Sequence, residues 1–60
     1  MNAKEQIITN AIDRANNTLG ADISYFGKDG IKEVINQLRE LGYEIEDFIS
    51  EYPFLSESQN

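Results

Sequence analysis

The chain has 60 residues, with five basic and eleven acidic side chains, a formal charge of −6, and no His, Cys or Trp. This composition excludes a disulfide framework, a zinc site built on nitrogen or sulfur ligands, and nucleophilic catalysis of the Ser-His or Cys-His kind. The length points to one small domain, residues 1–60, near the lower limit for a self-sufficient core.

Asn2 followed three residues later by Glu5 resembles a capping box, with Asn in place of the usual Ser or Thr. Ile8, Ala11, Ile12, Ala15 and Leu19 then recur at helical spacing, and Gly20 stands where a glycine commonly stops a helix. The pattern predicts a helix over 3–19. From Ile31, the apolar positions Val34, Ile35, Leu38 and Leu41 mark a second helix over 28–41, with Asp29 as a candidate N-cap and Gly42 as its stop. Between them, residues 21–26 read either as a helical entry or as a short strand, because Ile23 and Tyr25 alternate with Asp22 and Ser24.

The last segment sets two patterns against each other. Residues 43–45 after a helix and a glycine look like strand entry, yet Ile45, Phe48, Ile49 and Tyr52 fall at i, i+3, i+4 and i+7. Period favours a third helix over 44–52, ended by Pro53 and followed by a polar tail at 56–60 that is expected to fray. The expected fold is all-α, a small three-helix bundle over 3–19, 28–41 and 44–52. The alternative is α+β, with a two-stranded sheet formed by 21–26 and 43–49.

Charge is segregated along the chain. Residues 1–39 hold Lys4, Arg14, Lys28, Lys32 and Arg39 against five acids and sum to zero. Residues 40–60 hold Glu40, Glu44, Glu46, Asp47, Glu51 and Glu57 and no base, so the whole −6 lies there. Such a field repels phosphates, which disfavours direct nucleic-acid binding and anionic membrane surfaces, and attracts a basic protein surface. On α-helical spacing, Lys32, Asn36 and Arg39 face outward from the second helix, as a groove-reading helix would, but Glu33 and Glu40 share that face. No apolar run is long enough to span a bilayer or to form a signal-peptide core, so a cytoplasmic location is expected. The thin core makes self-association or a partner a natural route to stability.

Carboxylates are the remaining source of chemistry. A general acid among Glu44, Glu46, Asp47 and Glu51 requires burial in an apolar cleft, for which a chain of this size has little room. The expectation is a solvated acidic face, no enzymatic activity and no cofactor. Residues 22–33, counted as a twelve-residue loop, resemble an EF-hand calcium loop, with Asp22, Ser24 and Glu33 at ligand positions and Gly27 at the sixth. Phe26 departs from that pattern at the fifth position, where an oxygen ligand belongs, and Asp29 at the eighth, where the motif has an aliphatic residue.

The expected function is therefore a small acidic protein-binding regulator, such as an inhibitor, an antitoxin-like neutraliser or an adaptor. Its expected contacts are Glu44, Asp47, Glu51, Tyr52, Phe54 and Leu55, with charge steering and aromatics anchoring. Two alternatives stand beside it: a DNA mimic that blocks a nucleic-acid-binding protein, and a degenerate calcium-binding helix-loop-helix.

Overall fold

Helix α1 (Ala3–Leu19) buries Ile8, Ala11 and Ala15, three residues at i, i+3 and i+7 on one face. Two of them are alanines with no exposed surface, which permits a close approach of the neighbouring helix. This computed structural model describes residues 3–59. The Asn2 half of the expected capping box lies outside the described residues, while Glu5 sits in the first turn, where a carboxylate favours the helix dipole. Gly20 ends the helix as expected. Its φ is 80°, and its N–H donates to the Asn16 carbonyl at 2.9 Å.

Helix α2 (Lys28–Glu40) buries Gly30, Val34, Ile35, Gln37 and Leu38. Its N-cap is Gly27, at φ 57° and ψ −126°, not Asp29, which lies in the first turn. The C-terminus closes in a Schellman motif: Gly42 N–H donates to the Arg39 carbonyl at 3.0 Å and Tyr43 N–H to the Leu38 carbonyl at 2.9 Å. Every other element packs against α2, namely α1 and the three 3₁₀ helices described next.

The connection between α1 and α2 is a 3₁₀ helix (Ile23–Tyr25), not a strand. Two side chains shape it: Asn16 Oδ1 accepts from the Ile23 N–H and Asp22 Oδ1 from the Ser24 N–H, both at 2.9 Å. Such local side-chain bonds offer the backbone an alternative to a sheet ladder. Gly30 receives this turn; a Cβ there would run into the Ile23 carbonyl oxygen.

The third α-helix expected over 44–52 is replaced by a short 3₁₀ helix (Ile45–Asp47) followed by turns. Individual helical bonds persist, from Ile49 N–H to the Ile45 carbonyl and from Tyr52 N–H to the Phe48 carbonyl, both at 2.8 Å. Continuous helix fails for physical reasons. The segment is short, rich in β-branched and aromatic residues, and carries Glu51 where the helix dipole favours a base. Pro53 does not end a helix but opens one: a 3₁₀ helix (Pro53–Gln59) takes up most of the tail expected to fray. Among the described residues there is no strand, so the two-stranded alternative over 21–26 and 43–49 is also absent.

The core is one cluster: Ile8, Ala11 and Ala15 from α1; Val34, Ile35 and Leu38 from α2; and Ile45, Phe48 and Leu55 from the C-terminal third. The fold is thus all-α, two helices closed by a C-terminal segment of 3₁₀ helices and turns.

Candidate functional site

The acidic third separates into groups with different surroundings. Glu44, Glu46 and Asp47 are exposed on the Ile45–Asp47 turn, and Glu44 makes no side-chain cap bond to it. Glu51 is engaged by Lys4, whose Nζ stands 3.5 Å from Glu51 Oε1. Glu40 faces Arg14 at 3.5 Å. Three carboxylates within four residues remain directed at solvent, with no ion-pair partner among the described residues.

The apolar residues expected to anchor a partner point elsewhere. Leu55 has no exposed surface and belongs to the core, while Tyr52 and Phe54 are half-buried against it. A signal for this lies in the sequence: Leu55 continues the Ile45, Phe48/Ile49, Tyr52 stripe by three more residues, on the inward side. The apolar side chains that do border the acidic turn were not among the expected contacts. Leu41 and Tyr43 are 38% and 37% exposed, and the Tyr43 ring stands edge-on to buried Phe48, with centroids 5.9 Å apart at 87°. Tyr43 is held there by the Schellman bond, so a half-exposed ring is fixed beside Glu44 by the end of α2. Tyr25 and Phe26, the other exposed large apolar residues, lie before the opposite end of α2.

Along α2, the two acids expected to interrupt the outward basic face are drawn aside. Glu33 Oε2 accepts from Gln37 Nε2 at 2.7 Å. Gln37 Oε1 in turn accepts from Arg14 Nε at 2.8 Å. These residues, with Thr18, Asn17 and Glu40, line a shallow polar depression of about 430 Å³ between the helices.

The calcium-loop resemblance dissolves in the geometry. Asp22 caps the 3₁₀ turn, and the Ser24 N–H, followed by the Ser24 hydroxyl, holds its carboxyl below the ordinary aspartate pKa. Glu33 is committed to Gln37. Helix α2 begins at the seventh of the twelve loop positions, so the second half of the loop is coiled into helix and does not wrap an ion. Among the described residues, no group of three or more acidic side chains is placed to hold a metal ion.

No protein-family model matches the chain, and no curated protein or solved structure matches it. Among the described residues, no helix is long and apolar enough to cross a membrane.

Proposed function

We propose that this chain is a small non-enzymatic, protein-binding regulator that docks a basic partner surface through residues 44–47, with Tyr43 and Leu41 as the apolar contacts. One observation carries the reading: three carboxylates with no ion-pair partner among the described residues share one short turn beside a half-exposed aromatic ring held in place by backbone bonds. Charge of one sign at the rim accelerates encounter with an opposite surface, and a rigid aromatic supplies contact area at little entropic cost. Glu51, Tyr52, Phe54 and Leu55 leave the contact set, because an ion pair or the core already uses them. Three carboxylates in one turn are too few to imitate a row of phosphates, so DNA mimicry is not part of this reading.

The test is capture from native extract on the immobilised chain, eluted with a salt gradient, alongside the variant Glu44→Gln/Glu46→Gln/Asp47→Asn. Basic proteins retained by the native chain at low salt, released within the gradient and absent from the variant are the expected result. The same proteins held equally by both chains would remove the acidic turn from the function.

A further inference from the structure

Tyr43 is set as a platform at the edge of the acidic turn. Its N–H donates to the Leu38 carbonyl at 2.9 Å in the bond that closes α2, so the end of the helix fixes its backbone. Its ring meets the ring of buried Phe48 edge to face, at 5.9 Å and 87°. Two perpendicular rings share at most one face of either, so at least one face of Tyr43 is not stacked on Phe48, and the residue is 37% exposed. The electron-rich face of such a ring attracts a cation. Carboxylates stand beside it. Glu44 follows Tyr43 directly, and Asp47 lies one 3₁₀ turn further, its N–H donating to the Glu44 carbonyl at 3.2 Å. Both side chains are exposed. Arg39, the base nearest in sequence, is also exposed. Among the described residues it neither pairs with these carboxylates nor stacks on the Tyr43 ring.

We propose that the acidic turn selects arginine in its basic partner, a guanidinium stacking on the Tyr43 ring while its N–H groups donate to Glu44 or Asp47. The inference rests on residues 44–47 being a docking surface and names the side chain which that surface prefers. Arginine is favoured over lysine by shape and hydration. A guanidinium is planar and weakly hydrated, so it can lay its face on a ring while its edge donates to a carboxylate. Its methylene stem gains a further apolar contact from Leu41, which is 38% exposed on the other side of Gly42. An ammonium is compact and strongly hydrated, and it meets the same groups as a point charge. The −6 charge of the chain draws both cations alike, so the field brings a basic segment to the surface and the ring discriminates within it.

Terminally blocked oligoarginine and oligolysine of equal length, titrated onto the full chain by calorimetry at low salt, read the preference. The native chain is expected to bind oligoarginine more tightly. Tyr43→Leu keeps an apolar side chain and the backbone bond but removes the ring, and should lower the arginine-to-lysine affinity ratio by about two- to fivefold. Tyr43→Phe, which restores a ring, should recover most of that ratio. Circular dichroism checks that each variant keeps its helicity. The native chain supplies a readout that needs no substitution: nuclear Overhauser contacts between arginine side-chain protons and the Tyr43 ring in the oligoarginine complex. Equal affinity for the two peptides, a ratio unchanged in folded Tyr43→Leu, or a bound complex without those contacts each overturns the proposal. Should both peptides then still lose affinity to Glu44→Gln/Glu46→Gln/Asp47→Asn, the acidic turn stands as a docking surface that reads charge alone. Neither peptide bound, or binding untouched by the triple substitution, removes the docking surface and this inference with it.

Discussion

Gln37 Oε1 accepts a hydrogen bond from Arg14 Nε at 2.8 Å, and this joins the one buried polar residue among those described to the helix packed across from it. The Gln37 amide also donates to Glu33 at 2.7 Å, so one carboxamide links a base on α1 to an acid on α2 and fixes how the helices face each other. Both ends of the carboxamide are satisfied, as a buried polar group requires.

Replacing Gln37 separates its polar and its packing roles. Gln37→Ala is expected to lower stability by about 1–3 kcal/mol, through lost bonds and a small void. Gln37→Leu should cost less, because Arg14 and Glu33 reach water while the volume stays filled. Urea denaturation midpoints of the two variants decide this; a Leu variant less stable than the Ala variant would show the bonds to matter more than the packing.

Gly30 is needed for space and not for its dihedral angles. A Cβ at this position meets the Ile23 carbonyl oxygen, which is backbone and cannot swing aside. Gly30→Ala should therefore destabilise by about 1–3 kcal/mol despite alanine's better helix propensity. Asn36→Ala, on the exposed side of the same helix, is expected to be neutral or slightly stabilising. Thermal unfolding of both variants is the check.

Leu55 tests whether the C-terminal segment belongs to the core. It has no exposed surface, and its N–H donates to the Tyr52 carbonyl at 3.1 Å. Leu55→Ala should cost about 2–5 kcal/mol, a core-sized loss from a residue five positions before the end of the chain. A change of a few tenths in denaturant unfolding would show that this segment contributes little.

Asp22 gives the stability an acid limb. Its carboxyl is held below the ordinary value by the Ser24 N–H and then the Ser24 hydroxyl, so the folded pKa lies below the unfolded one. The stabilisation is complete above the unfolded aspartate value, near 3.9, and is lost as pH falls through the folded value. Between neutral pH and about 5 this group should contribute no slope. Asp22→Asn keeps an acceptor for the Ser24 N–H without the charge. Its unfolding midpoint should fall less steeply below pH 4 than that of the native chain.

The two helices were legible because their signals are local. Apolar spacing of 3.6 residues, Gly20 and Gly42 located α1 and α2 to within a residue at most ends, and the charge division along the chain needed only counting. The C-terminal third was not legible in the same way. Ile45, Phe48, Ile49 and Tyr52 turn inward whether the backbone is continuous helix or a series of 3₁₀ and α turns, since both bring i+3 and i+4 to one side. Spacing alone therefore did not separate them, and Pro53, a helix stop by one rule, is a helix start by another. The site shifted for the same reason. Its carboxylates stand in the open, but Leu55 was drawn into the core and Tyr43 brought to the surface by backbone bonds.

Composition alone barred thiol, imidazole and disulfide chemistry, and sequence order alone put every surplus negative charge beyond residue 39, because neither property depends on how the chain folds. Only the packing around α2 decided which of those charges remain available. Lys4 and Arg14 reach Glu51 and Glu40 across 47 and 26 residues of sequence. Distances of that kind arise from long-range closure of the core, and no local pattern encodes them.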